Sequence, residues 1–252
     1  MPSVATISIT PVKSLGLHHP DAVELTDVGV AGDRRYFLVD EAGRLVGGTK
    51  HGPLVRVRAE VDGDRLTLRL PEGGDVVGDV ELGDRVTTDF YGRPVEGRLV
   101  DGPWAEALSG FVGRSLRIVR AEHDDAFDVH PVTLVSLGSC ARLAAELDAD
   151  VDPRRFRMLL TLDGSDPHEE DTWSGRLVRV GDAVIRVGGP VPRCAVTTQD
   201  PATGIRSLDT LSAIRSYRGV RASDGKSIDF GVYATVEQPG RVRVGDPVEP
   251  LR

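Results

Sequence analysis

The sequence predicts a mainly β fold with a few helices, in the α+β class, and three observations carry that reading. Short runs alternating apolar and polar residues are separated by Gly, Pro and Asp turns along most of the chain. Asp62-Gly63 joins two such runs, 54–61 and 65–70, as a tight hairpin, and Gly181-Asp182 joins 176–180 to 183–187 in the same way. Only three segments carry helical periodicity instead. Strands at this spacing build barrels or sandwiches.

The remaining strands are expected at 3–9, 35–39, 86–90, 115–119, 158–162, 231–236 and 241–244. The Gly- and Asp-rich stretch 71–83 reads as a surface loop or irregular hairpin. A first helix is expected with Asp101 as its cap and Pro103 in its first turn, placing Trp104, Leu108 and Phe111 on one face. A second opens at Ser139 and runs to about Asp148, burying Leu143 and Leu147. A third opens at Ser207 and runs to about Tyr217, burying Leu208, Leu211 and Ile214. All three read as supports for the core. There is no internal repeat, and a soft boundary within 95–120 separates a β-rich first part from a mixed second part.

At 252 residues the chain is one large domain or two small ones sharing an interface. No stretch approaches the roughly 18 apolar residues of a membrane helix, and no basic region precedes an apolar run at the start, so a cytoplasmic protein without a membrane partner is expected. A net charge of −8 argues against nucleic acid as a partner, because phosphate binding relies on Lys and Arg. Two cysteines, Cys140 and Cys194, are too few for an iron–sulfur cluster or a Cys-rich zinc site, and a structural disulfide is not expected in a reducing compartment. With 28 Arg against three Lys (Lys13, Lys50, Lys226), each lysine is informative.

Cys194 follows Gly188-Gly189-Pro190-Val191-Pro192-Arg193, a run that suppresses regular structure, so its thiol is expected where a strand becomes a loop. The adjacent Arg193 stabilises a thiolate, the form that binds metals or attacks electrophiles. A buried, inert cysteine is the alternative, and it is the preferred reading for Cys140. Pro11-Val12-Lys13-Ser14 follows a strand and offers an ammonium and a hydroxyl suited to phosphate oxygens, or is an ordinary solvated turn. Alternation sends Arg34 and Arg35 to opposite sides of their strand, so that one of them turns inward to an anion or both are surface charges. The acidic stretch from Asp163 to Asp171, with His168, lacks a regular metal-ligand spacing and reads as a solvated loop, as does His18-His19. No nucleotide-binding glycine motif, GxSxG elbow or HExxH is present.

Taken together, these residues resemble the MOSC superfamily of molybdenum-cofactor proteins, in particular its two-part, amidoxime-reducing branch. The resemblance rests on Pro11-Val12-Lys13-Ser14, Asp33-Arg34-Arg35, Arg155-Phe156-Arg157 and Glu169-Glu170-Asp171-Thr172-Trp173. It continues through Pro192-Arg193-Cys194, Thr197-Thr198, Asp200-Pro201-Ala202-Thr203-Gly204, Leu208-Asp209-Thr210-Leu211, Ser216-Tyr217-Arg218, Phe230-Gly231 and Val244-Gly245-Asp246-Pro247-Val248. It implies an N-terminal β-barrel-like domain, 1–98, packed on a MOSC β-barrel domain, 99–252, with a pterin-based molybdenum cofactor in the groove between them. It also implies that Cys194 ligates molybdenum, that Lys13, Ser14, Arg34 and Arg157 hold phosphate and pterin, and that Arg193 lies beside them. His130 stands where relatives often have a small hydroxyl residue; it either contacts the cofactor or fills space. Met158 replaces a common Pro, and Thr49-Lys50-His51 only approximates the family's stretch, which leaves Lys50 a weak groove candidate.

The expected activity is reduction of N-hydroxylated or related N-oxygenated small molecules, with molybdenum cycling between Mo(IV) and Mo(VI). Electrons must then come from a separate donor protein: a ferredoxin, a flavin reductase or a cytochrome b5-like protein. The alternatives are a non-catalytic molybdenum-cofactor or sulfur carrier, and a hydrolase using Cys194 as nucleophile with His130, for which no oxyanion motif is seen.

Overall fold

Among the described residues, seventeen strands and three α-helices organise hydrophobic clusters on the two sides of a cleft. A computed structural model describes residues 1–123 and 125–251. Along the chain, β1 (Ser3–Ile7), β2 (Ala22–Thr26), β3 (Gly29–Val30) and β4 (Tyr36–Val39) come first. The hairpin strands β5 (Arg58–Asp62), β6 (Arg65–Leu70) and β7 (Gly74–Asp79) follow, then the long pair β8 (Glu81–Phe90) and β9 (Arg93–Asp101). Helix α1 (Trp104–Val112) leads to β10 (Arg117–Ala121), β11 (Val132–Ser136), α2 (Leu137–Leu147) and β12 (Leu160–Asp163). The chain closes with β13 (Leu177–Val180), β14 (Ala183–Pro192), α3 (Thr210–Arg218), β15 (Asp229–Gln238), β16 (Gly240–Arg243) and β17 (Val248–Pro250).

The second half is a nearly closed barrel. Its seven-stranded sheet runs β1-β12-β11-β15-β14-β13-β17, and a bridge between Ser3 and Pro247 draws its two edge strands together, covering ladder groups an open sheet leaves unpaired. The small sheet β16-β2-β3 lies over it, and Val4, Leu134, Leu160, Trp173, Ile185 and Val242 belong to the shared core. In the first half, the sheets β4-β10-β9-β8 and β5-β6-β7 enclose a second core plugged by Trp104, whose indole N–H donates to the carbonyls of Leu66 and Val76. The expected division at 98/99 falls inside β9, which pairs with β8 and β10 along that stretch. The N-terminal β1 and β2, conversely, pair with strands of the second half.

Several local expectations are corrected. Residues 54–57 are not strand: Gly52–Arg56 forms a 3-10 turn with Pro53 in its first positions, since proline presets a helical φ and lacks a ladder donor. Gly52 and Gly204 meet backbone to backbone, and a Cβ on Gly52 would lie 2.1 Å from the Gly204 carbonyl oxygen. The stretch 71–83 holds β7 and the start of β8; their mostly exposed residues carry little hydrophobic signal although the backbone pairs regularly. Asp101 stays in the ladder opposite Glu81, so Pro103 takes the N-cap position of α1 and no side chain caps the helix. Ser136, not Ser139, caps α2 by accepting from the Ser139 N–H, and Asp209, not Ser207, caps α3. Ser207 instead accepts from Arg155 at 2.7 Å. Nor is the acidic stretch a solvated loop: Glu170 is fully buried, His168 hydrogen-bonds to the Tyr217 hydroxyl, and Asp171 pairs with Arg218. Among the described residues no helix is long and apolar enough to cross a membrane.

Candidate functional site

A cleft with about 980 Å³ of open space lies between the halves, and Lys13, Ser14, Arg34, His130, Arg157, Arg193 and Cys194 all line it. They arrive from segments far apart in sequence. Lys13 and Ser14 follow the strand-end turn after β1. Arg34 precedes β4, Arg157 ends the 3-10 turn Pro153–Phe156, and Arg193 and Cys194 follow β14. Arg34 lines this cleft from a left-handed turn position before β4, whereas Arg35 lines a different concavity. Lys50 is exposed and is not in the lining; its neighbour Thr49 is.

The Cys194 thiol is exposed, whereas Cys140 is buried in an apolar cluster that pushes its thiol up to about 12, well out of thiolate range at neutral pH. Arg193 N–H still closes onto the Ile228 carbonyl at 2.7 Å, and the Cys194 carbonyl then accepts from the Thr197 N–H to begin the turn Ala195–Thr198. The sulfur is thus presented where the strand ends, 3.7 Å from the Thr49 hydroxyl. The Gln199 side-chain amide, after the same turn, donates to the carbonyls of Gly48 and Thr49, and Gly48 N–H donates to Ser14 Oγ. These bonds tie the 47–49 loop of the first half to the cysteine-bearing turn of the second.

Each cation of the cleft is fixed by a main-chain carbonyl. Lys13 Nζ donates to Ala126, Arg34 to Arg157, Arg157 to Leu15 and Arg193 to Phe156. Two carboxylates also compensate: Asp128 lies 2.7 Å from Lys13, and Asp33 pairs with Arg34. Arg157 and Arg193 have no carboxylate partner among the described residues. Burial, with the neighbouring Arg34 charge adding to it, pushes Arg157 down to about 10; burial also lowers Arg193, against the opposing influence of the cysteine. Both stay cationic near neutrality, and Arg193 Nε is buried without a partner. Burial lowers Lys13 as well, while Asp128 holds its proton on. A partly desolvated guanidinium without a carboxylate in contact is costly, and an anion entering the cleft relieves it.

The backbone is strained at the same place. Ser14, Arg34, Tyr91 and Arg157 have φ of 78°, 50°, 58° and 51°, four of the six non-glycine residues in the left-handed region among the described residues. Such conformations cluster at functional sites, where the surrounding structure holds them.

Residues that sequence reasoning missed complete the walls: Thr49, Tyr91, Asp128 and Tyr233. Tyr91 has a local signal, since Tyr91-Gly92 is the tip of the β8–β9 hairpin; Asp128 has none beyond lying two residues before His130. His130 packs edge-on against Tyr233, with centroids 5.6 Å apart, and burial lowers its pKa, favouring the neutral ring. Among the described residues no group of three or more His, Cys, Asp or Glu is placed to hold a metal ion. The donor set is therefore one accessible thiol plus a cationic cradle. This fits a metal that arrives within an anionic organic ligand.

A profile of the MOSC domain matches residues 123–249, and one of the MOSC N-terminal beta barrel domain matches residues 1–114. The chain is 30% identical to mitochondrial amidoxime-reducing component 1 of Homo sapiens, over 98% of this chain and 82% of that one. It is 30% identical to mitochondrial amidoxime reducing component 2 of Bos taurus with the same coverage, and 26% identical to component 1 of Danio rerio over 97% and 83%.

Proposed function

This chain belongs to the MOSC family, and from that membership and its cleft we propose that it is a molybdenum-cofactor-dependent oxidoreductase reducing N-hydroxylated or otherwise N-oxygenated small molecules. One observation carries the reading: an exposed thiol shares a cleft with two half-buried guanidiniums that lack carboxylate partners among the described residues. Thiolate is a soft donor suited to such a metal, and Arg forks suit phosphate.

In this reading Cys194 ligates the metal, and Lys13, Ser14, Arg34, Arg157 and Arg193 hold the cofactor's phosphate and pterin. When bound, the molybdenum cofactor supplies a two-electron centre able to take oxygen from an N–O bond. Asp128 keeps Lys13 protonated despite burial; burial pushes the carboxyl up, but Lys13 and the nearby arginines outweigh it and keep it ionised. Thr49 and Gln199 position the thiol across the seam. Tyr91, which is exposed, and Tyr233 stand at the mouth, and burial pushes the Tyr233 hydroxyl up to about 12, so it remains a neutral donor. His130, also neutral, borders the substrate side.

Electrons would come from a separate donor protein of ferredoxin, flavin-reductase or cytochrome b5-like type, and a cytoplasmic location belongs to the same proposal. We set the seam between the halves just after β10 rather than at 98/99.

The test is molybdenum and pterin content of protein made in a cofactor-competent host, with benzamidoxime reduction under a supplied reductase. Stoichiometric cofactor with turnover is expected. Cofactor without turnover under any reductant would instead identify a carrier, and thiol-dependent hydrolysis without metal would overturn the proposal.

A further inference from the structure

A further cationic concavity, of about 470 Å³, is lined mostly by the first half and shares no lining residue with the cleft. Its central feature is a row of three arginines on adjacent strands. Arg85 of β8 stands opposite Arg98 of β9, and Arg98 opposite Arg120 of β10. Directly opposed residues share a face, and like charges so placed destabilise a sheet. A chain of net charge −8 has placed three in register here.

The row is also built. A bulge between Leu82 and Arg85 interrupts the β8–β9 ladder just before Arg85, a device that re-aims side chains. The Arg98 guanidinium takes the Leu82 and Gly83 carbonyls of that bulge, at 2.9 and 3.0 Å, fixing its orientation. Neutralisation of the outer two is loose: Arg85 lies 3.6 Å from Glu122, and Arg120 lies 3.8 Å from Asp64. Neither contact is a hydrogen bond, and pairs of this kind contribute little. Adjacent strands are about 4.8 Å apart, so the three charges span roughly 10 Å. That spacing suits a chain of phosphoryl groups better than a single one, and concavity favours a small ligand over a flat protein face.

We propose that this arginine row is a binding site for a small polyanion carrying two or more linked phosphoryl groups, separate from the cleft. The probe is inorganic pyrophosphate, titrated calorimetrically at low ionic strength into wild type and variants. Wild type should bind it with a Kd below roughly 1 mM. Arg85→Gln with Arg120→Gln should weaken binding about tenfold or more, the doubly Lys-substituted protein should be intermediate because it keeps charge but loses the fork, and Arg34→Gln in the cleft should keep this binding phase. Adenosine diphosphate should compete if the natural ligand is a nucleotide; its failure to compete while pyrophosphate binds identifies a non-nucleotide polyphosphate, and either result supports the site. Unchanged affinity in the Gln double variant, loss only in Arg34→Gln, or no pyrophosphate binding by wild type overturns it; in the last case an acidic protein face becomes the candidate occupant.

Discussion

The cleft and the polar cluster buried beneath α2 are both built from polar side chains, yet they differ in what is left uncompensated: cations in the cleft, a carboxyl oxygen and a ring nitrogen in the cluster. In the cluster both serine hydroxyls are paired: Ser139 Oγ donates to Glu170 and accepts from His168 N–H, while Ser136 Oγ accepts from Ser139 N–H and donates to Ser139 Oγ, and Glu170 Oε2 and His168 Nδ1 stay buried without partners. Ser136 N–H completes the set on Glu170. The cleft instead keeps two guanidiniums with no carboxylate in ion-pair contact among the described residues, a partnerless buried Arg193 Nε and four strained backbone positions. Paired buried hydroxyls contribute stability, while cations short of a carboxylate partner hold free energy that an anionic ligand can release. Substitutions in the cleft should therefore cost function, and substitutions in the cluster should cost folding.

The largest contrast is between the cysteines. Cys194→Ala should abolish molybdenum-dependent reduction while shifting stability by less than about 0.5 kcal/mol, as for an exposed side chain. Cys140→Ser should retain turnover and lose about 1–2 kcal/mol by burying a hydroxyl in an apolar cluster. Turnover assays paired with urea unfolding check both, and full activity in the Cys194 variant would remove it from the site.

Next is Glu170→Ala, which leaves Ser136 N–H and the Ser139 hydroxyl without an acceptor and opens a cavity. A loss of about 3 kcal/mol is expected in urea unfolding, with turnover per bound cofactor unchanged. A smaller effect follows for Arg157→Gln: cofactor occupancy, measured as metal and pterin per chain, should fall about tenfold. Its stability should move by no more than about 1 kcal/mol, since loss of the bond to the Leu15 carbonyl is offset by removal of a desolvated charge. A collapse of the fold there would break the contrast.

The smallest effect is a pH slope. Burial, assisted by the Arg218 charge, lowers His168 to about 4. The unfolded chain binds this proton near pH 6.5 while the folded one does not, so between about 6.5 and 4 unfolding takes up a proton and stability falls as pH falls. His168→Asn should flatten that part of the stability profile. An identical slope in the variant would assign it to other groups.

The chemistry of the site was legible where it is local. Lys13-Ser14 after a strand, Arg34 beside a turn and Arg193-Cys194 at a strand end each show residue types and breakers within a few positions. The helices were legible in their apolar faces but not in their starts. Whether Ser136 or Ser139 caps α2 depends on Glu170, 31 residues beyond Ser139, claiming the Ser139 hydroxyl. β7 was hidden because an exposed strand shows no alternation to read; its partner β6 supplies the hydrogen bonds.

By itself the sequence determined the β-rich class, its turns and the identity of the thiol and the cations, because alternation, glycine turns and side-chain chemistry are properties of a few neighbouring residues. Tertiary structure alone decided that Arg34 and not Arg35 enters the cleft, that Asp128, Thr49 and Tyr91 stand beside Cys194, and that Arg157 and Arg193 go without carboxylates. Burial and counter-charge depend on what segments more than a hundred residues apart bring to one place, and no local pattern records which partners are missing.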